Sequence, residues 1–369
     1  MSFIPLASPS INEQDIENVS AVLRSGMLVQ GLQVEQLEQQ LASYLGVNHA
    51  IMVSNGTASL HLMLVALGIG PGDEVIIPAF SYIATANVVE LVGAKPVFVD
   101  IEEHSFNINS GLISRKITSS TKAVMIVHEF GLAADMQEIK TICDTYGLAL
   151  LEDAACALGA KEGNFYAGSI GLAGSFSFHP RKAITSGEGG AVVTNNDALA
   201  YKIRALRNHG IDSKFIGKMD FIYAGFNYRL TDFQAALLLS QLKRIEFILE
   251  TKQLIAERYL SEIRNPLIRL PTYGVKKYHA WQTFHVLLNE NLNQLEVIKY
   301  FKDNGIGVNY GAQCIPEQTF YKEKYNHFSQ REFPNASKAF THGLAIPLYE
   351  KLNASQIQKI INTINQFHN

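Results

Sequence analysis

The stretch Gly174-Ser-Phe-Ser-Phe-His-Pro-Arg-Lys182-Ala-Ile-Thr-Ser-Gly-Glu-Gly-Gly190 decides how this chain is read. Phe176 and Phe178 alternate with Ser175, Ser177 and His179. That is the period of a strand with its aromatics on one face and its hydroxyls on the other. The run then passes through Lys182 and a glycine-rich turn into a second apolar segment, Ala191-Val-Val-Thr194. A lysine is ordinarily a hydrated surface group, because its ammonium is costly to desolvate. One set between two strand-like segments, among hydroxyls and glycines, reads as a lysine held for chemistry.

Outward from this stretch, short apolar segments alternate with amphipathic ones. Strands are expected at His49–Val53, Glu74–Ile77, Pro96–Val99, Ala123–Val127, Leu148–Leu151 and Ala191–Thr194. Helices are expected over Ala58–Leu67 and Ile83–Val92. This alternation implies an α/β fold with a mostly parallel sheet between helices. Ahead of it, Ser10-Ile-Asn-Glu13 has the form of a capping box opening a helix that Ser25-Gly26 stops, and a second helix runs from Val34 to Leu45. One long helix is expected over Leu230–Glu250, followed by a smaller C-terminal α+β unit with helices near Leu295–Asn304 and Ala354–Phe367. The division is placed at 1–240 and 241–369, sizes suited to two cores.

Composition excludes some functions. The 369 residues are 47% hydrophobic and 18% charged with a formal net charge of -3, so the chain has the make-up of an ordinary globular protein. Basic residues are scattered, which gives no groove for nucleic acid. No apolar run reaches the roughly 18 residues of a membrane span, and the start of the chain has no secretory pattern, so a cytoplasmic protein is expected. Cys143, Cys156 and Cys314 are odd in number and widely spaced, and the eleven histidines form no ligand motif. Reduced thiols and no metal site follow.

Open α/β sheets bind ligands beyond their strand ends. After the first strand comes Ser54-Asn-Gly-Thr-Ala-Ser59, a turn into a helix whose first N–H groups suit a phosphate or serve as a plain N-cap. After the strand at Leu148 comes Glu152-Asp153, where one acid faces a ligand and the other caps or pairs. Pro78-Ala-Phe-Ser-Tyr82-Ile-Ala-Thr85 adds an aromatic ring after another strand. An anion cradle, a buried acid and a pocket lysine are jointly what pyridoxal phosphate requires.

With these motifs in order, and with Ile4-Pro-Leu, Ser25-Gly26, Gly31 and Gly225-Phe-Asn-Tyr-Arg-Leu230, the chain resembles the DegT/DnrJ sugar aminotransferase family within fold type I of the pyridoxal phosphate enzymes. The resemblance is strongest over residues 4 to 250. It implies that Lys182 forms the Schiff base and Asp153 partners the pyridine nitrogen. It also implies that Tyr82 stacks on the ring and that Thr57, Ala58 and Ser177 hold the phosphate. Asn227 would come from the second subunit of a homodimer, so that the active sites are shared. Where the family often has Gln or His, this chain has Cys156, a weaker partner for the cofactor's phenolic oxygen. Family dehydratases carry His at the position of Lys182, so the lysine implies transamination.

The same resemblance implies L-glutamate as donor and a nucleotide-linked keto sugar as acceptor. Thr185-Ser-Gly-Glu188-Gly-Gly190 is similar to the form found in enzymes acting at C4 of 4-keto-6-deoxyhexoses. A C3 keto-sugar or keto-cyclitol enzyme is the alternative, and a non-catalytic regulatory protein on the same fold a more distant one. His179, Arg181, Arg229, Tyr310 and Gln313 are the candidate substrate contacts, each with an ordinary structural reading beside it.

Overall fold

In the computed structural model, which describes residues 3–212, 218–274, 276–325 and 332–368, the centre is a seven-stranded sheet. Its strands are β1 (His49–Val53), β2 (Glu74–Pro78), β3 (Lys95–Val99), β4 (Thr121–Val127), β5 (Ala149–Asp153), β6 (Ala173–Ser177) and β7 (Gly190–Thr194). Their order across the sheet is β1-β7-β6-β5-β4-β2-β3. The pairs β2–β3, β2–β4, β4–β5 and β5–β6 are parallel, and β7 alone runs against both of its neighbours, β1 and β6. The connection that carries Lys182 therefore turns back at the C-terminal end of β6.

Both faces of the sheet are covered, and the strands show it residue by residue. Ile51 and Val53 join one core while Ala50 and Met52 join another. Likewise Ala123 and Met125 lie on the face opposite Val124 and Ile126. Each such side chain contributes about 1.5–3 kcal/mol through burial. Of the helices that matter here, α1 is Glu13–Ser25, α2 is Leu32–Leu45 and α3 is Gly56–Leu67. The last buries Leu60, Leu62, Met63 and Leu64 against the sheet.

Three local expectations are corrected. The capping box of α1 is formed by Asn12 and Asp15 rather than by Ser10 and Glu13: Asn12 Oδ1 accepts from Asp15 N at 2.9 Å and Asp15 Oδ2 from Asn12 N at 2.9 Å. Arg244 is the physical reason, because it binds Asp15 through both guanidinium nitrogens and also takes the Ser10 carbonyl. The same arginine marks the second correction. The long helix expected over Leu230–Glu250 is two, Asp232–Leu242 and Ile245–Glu262, separated at Lys243-Arg244. Third, β5 extends to Asp153, so the two acids end the strand instead of following it.

A second core contains Tyr259, Trp281, Phe284, Phe301, Ile360 and Ile364 around the antiparallel sheet Ile268–Arg269, Phe284–Leu288 and Gly343–Ile346. The helix Ile245–Glu262 serves both units. Ile248 and Leu249 pack on the large core, Ile255 and Tyr259 on the small one. Residues 312–325 and 332–340 return to the large unit, where Ala312, Cys314, Ile315 and Tyr321 are buried against it.

Candidate active site

The turn between β6 and β7 is locked by its own backbone. Phe178 N donates to Gly189 O at 2.8 Å, Lys182 N to His179 O at 2.8 Å, and Thr185 Oγ1 to Phe178 O at 2.7 Å. Gln241, buried in the helix Asp232–Leu242, accepts from Thr185 N at 3.1 Å and donates to Thr185 O at 2.7 Å. These contacts fix the start of the Lys182 side chain. Its Nζ ends 3.0 Å from Cys156 Sγ. Burial pushes the Cys156 thiol up, against the pull of the Lys182 ammonium, so at neutral pH the sulfur is a thiol and a weak partner.

Asp153, 5% exposed, closes β5. Its Oδ2 accepts from Thr85 Oγ1 at 2.8 Å and its Oδ1 from Ala155 N at 3.2 Å. Burial raises its pKa from the ordinary carboxylate value, while these two donors and the Lys182 charge oppose that rise. A cationic ring nitrogen set against it would complete the pairing. Glu152, beside it, points the other way. It accepts from Gly168 N, Ile170 N and Gly171 N and is bonded to His128 Nε2 at 2.8 Å, so it holds the 166–171 loop. One acid faces the site and the other pairs, as the sequence reading allowed.

At the start of α3, Asn55 accepts from Ala58 N at 2.8 Å, and Thr57 stands exposed with its hydroxyl at the helix end. The N-cap and the anion readings thus meet at one place: Asn55 Oδ1 occupies the Ala58 N–H as an anion's oxygen could. The walls are close. A methyl group on Gly56 would lie 2.8 Å from Ser177 Cβ, and one on Gly190 would lie 2.4 Å from the Asn55 carbonyl carbon. Ser59 and Ser175, both buried, bond through their hydroxyls beneath the helix start.

Tyr82 is 67% exposed and lines an open cleft with Asn87, Tyr310, Gln313 and Phe320. The pairing of Phe80-Ser81 with Gln313-Cys314 brings these distant segments together. Ser81 Oγ and Thr85 Oγ1 are 3.2 Å apart, and this contact ties the cleft to Asp153. His179 and Arg181 are exposed. Arg181 donates its backbone N–H to His179 Nδ1 at 3.3 Å, and its carbonyl accepts from Gln282 Nε2 at 3.0 Å. Burial lowers the His179 pKa. Arg229 is engaged by Asn208 Oδ1 at 2.5 Å, and Asn227 is exposed on the bridge to Asn208.

Sequence reasoning overlooked Glu129, His128 and Lys252. Glu129 and His128 follow β4, so the strand-end rule applied to Val127 would have raised them. Glu129 is 3% exposed and burial lifts its carboxyl to about 8, with the Asp153 charge adding to the rise. Lys252 lines a separate cleft with Ser8, Arg181, Lys182, Gln282 and Glu350, and burial lowers its pKa to about 8.

The residues fit pyridoxal phosphate: a tethered primary amine, a buried acid with two donors, and a helix start with Thr57 exposed at its first turn. A family model, the DegT/DnrJ/EryC1/StrS aminotransferase family, matches residues 9–365, and the chain belongs to that family. It is 36% identical to the uncharacterized protein MJ1066 of Methanocaldococcus jannaschii over 99% of this chain and 97% of that protein. Among solved structures it superimposes with a TM-score of 0.93 on Helicobacter pylori PseC, an aminotransferase involved in the biosynthesis of pseudoaminic acid, at 28% identity over 98% of each chain. A Brucella abortus aminotransferase of the family gives a TM-score of 0.87 at 33% identity, covering 96% of this chain and 95% of its own. Spr1654 of Streptococcus pneumoniae, solved in PLP and PMP forms, gives 0.92 at 28% identity, with 98% of this chain covered and 97–98% of its own. The protein is therefore a fold type I enzyme that uses pyridoxal phosphate, a sugar aminotransferase by class.

Proposed function

We propose that this enzyme moves the amino group of L-glutamate to a nucleotide-linked keto sugar, at C4 of a 4-keto-6-deoxyhexose, as a cytoplasmic homodimer with shared active sites. The observation that carries this reading is the convergence of Lys182, Asp153 and the start of α3 at one edge of the sheet, with the Tyr82–Tyr310–Gln313 cleft opening beside it. Pyridoxal phosphate, when bound, supplies the electron sink and carries the amino group between donor and acceptor. Asp153 would hold the ring nitrogen cationic, and Lys182 Nζ would be the base that carries a proton to and from the reacting carbon. Thr57, Ala58 and Ser177 would anchor the phosphate, and Tyr82 would pack on the ring.

The cleft supports a sugar acceptor. Tyr310 and Gln313 offer hydroxyl and amide groups for sugar hydroxyls, and Tyr82 and Phe320 offer apolar faces. The exposed apolar residues Met27, Leu28, Val29 and Leu32, with Met219, Phe221 and Ile222 near Asn227 in sequence, support burial against a second copy. Among the described residues no helix is long and apolar enough to cross a membrane.

The test is a panel of nucleotide-linked 4-keto and 3-keto sugars and keto-cyclitols incubated with glutamate and the loaded enzyme. Release of 2-oxoglutarate with a 4-keto-6-deoxyhexose, abolished by Lys182→Ala, is the expected result. Faster turnover of a 3-keto sugar or a cyclitol would overturn the C4 assignment, and activity in Lys182→Ala would overturn the role of the lysine.

A further inference from the structure

Glu129 is a carboxyl group without a task in the scheme above. It sits two residues beyond Val127, the register partner of Asp153, so it reaches the same edge of the sheet as the catalytic acid. Its backbone is held firmly: its N–H donates to Asn107 Oδ1 at 2.8 Å, its carbonyl accepts from Leu132 N at 2.9 Å, and the next residue, Phe130, has a φ of 55°. A non-glycine residue in that left-handed region is strained, so the packing around it must over-determine this turn. The side chain is buried, yet Oε2 has no hydrogen-bond partner. A buried oxygen left so is destabilising unless a ligand or water supplies the missing contact.

The groups that face it identify that ligand. Asp153, Lys182 and Cys156 are its charged or titratable neighbours within the site, with Ser81 beside its carboxyl. His104, His279 and His285 line the same small pocket. Two adjacent buried carboxyls do not both ionise readily. Asp153 has the Thr85 hydroxyl and the Ala155 N–H to favour its anion. Glu129 has the Lys182 charge, the Phe130 N–H and Ser81 on the side of its anion, but burial and the Asp153 charge outweigh them, so it is the member of the pair that keeps its proton, which makes it a donor. Meanwhile the other side chain at this edge, Cys156, is taken up with Lys182 Nζ and offers only a thiol.

We propose that Glu129 is a positioning residue that donates a hydrogen bond from its protonated carboxyl to the phenolic oxygen of pyridoxal phosphate, the contact that Cys156 is too weak to make. The proposal rests on the cofactor reading above. It gives the orphaned oxygen a partner, and it makes the phenolic oxygen more stable as an anion, which lowers the pH at which the lysine-bound cofactor loses its proton.

The experiment uses the full-length protein, stripped of cofactor and reloaded with pyridoxal phosphate, in three variants: Glu129→Leu, Glu129→Gln, and Glu129→Leu combined with Cys156→Gln. Rebinding is followed through the fluorescence of Trp281, the single tryptophan, which lines the same pocket as Glu129. Glu129→Leu should rebind about tenfold more weakly, the worth of one hydrogen bond, and the pH at which its visible band changes should rise by about one unit. Glu129→Gln keeps a donor and should behave as the wild type near neutrality. Above pH 8 it should bind better than the wild type, whose own carboxyl has by then lost its proton. Cys156→Gln should restore part of the loss in the Leu background. A Leu variant with unchanged affinity and band, or a folded Gln variant as defective as Leu, would overturn the proposal. Failure of the cofactor reading is distinct from this: the wild type would then show no visible band at all.

Discussion

The cofactor wall and the outer cleft sit at the same edge of the sheet and are built on opposite terms. The wall is made of backbone: Gly56 and Gly190 approach so closely that a single methyl group meets Ser177 or the Asn55 carbonyl, and Asp153 is buried with both oxygens engaged. The cleft is made of side chains, Tyr82, Tyr310 and Phe320 exposed and Gln313 half-buried, carried by segments that meet through a two-residue strand pairing. A site of backbone and buried charge tolerates one ligand. A site of exposed side chains can change its ligand by replacing them without disturbing the wall, and this is why the class of reaction is more firmly written in this fold than its sugar.

Breaking the wall should therefore cost most. On the proposed assignment Asp153→Asn removes the anion set against the ring nitrogen, and it should lower kcat by about a hundredfold or more, as loss of a buried electrostatic partner does. The KM for the sugar should change little. An equal rise in KM with kcat preserved, measured by steady-state kinetics, would show that the wall and the cleft are not separate. Gly190→Ala comes next. Its methyl group would lie 2.4 Å from Asn55 backbone atoms, which cannot rotate away, so a loss of about 1–3 kcal/mol in urea unfolding and weaker cofactor retention are expected. An alanine variant as stable as the parent would mean that the close approach at Asn55 can relax.

The wall was also the part most legible in the sequence. Lys182 and the Ser54–Ser59 turn each follow a strand and Asp153 ends one, and strand alternation is a local pattern. Glu129 follows a strand as well, but its significance comes from burial by partners far away in the chain, Asn107 and the residues around Trp281 and His285. The cap of α1 and the break at Lys243-Arg244 were misplaced for one common reason: Arg244 reaches Asp15 and the Ser10 carbonyl, a contact between ends of the large unit that no window of local sequence contains. The cleft was half legible. Tyr310 and Gln313 were chosen as candidate contacts, but the pairing with Phe80-Ser81 that places them beside Tyr82 is only two residues long and has no periodic signal.

Changes to the cleft should be milder and should fall on the other kinetic constant. On the proposed reading Tyr310→Ala and Gln313→Ala each remove one polar contact to the sugar, and each should raise its KM by about tenfold, with the cofactor's spectrum and affinity unchanged. A spectral change in either variant would place that residue on the cofactor instead and redraw the boundary between wall and cleft.

The smallest effect lies beneath both regions, where His285 separates them. Its ring stacks on Phe130 at 4.4 Å, both ring nitrogens are buried without partners, and burial lowers its pKa to about 3. His279, stacked on Trp281 at 3.8 Å, is lowered to about 3 as well. For both, the folded pKa lies below the unfolded value, so between pH 6.5 and 3 the unfolded chain binds more protons. Stability must therefore fall as pH falls through that window, while above it these rings contribute no pH dependence. In His285→Leu the lost ring contacts with Phe130 are offset by removal of two unsatisfied nitrogens, so urea unfolding at pH 7 should change by no more than about 1 kcal/mol. At pH 4.5 the variant should lose less stability than the parent, because one of the two buried rings no longer has to be charged on unfolding. Equal losses in variant and parent would mean that His285 already finds a proton in the folded state, and the layer between wall and cleft would then be wetter than its packing implies.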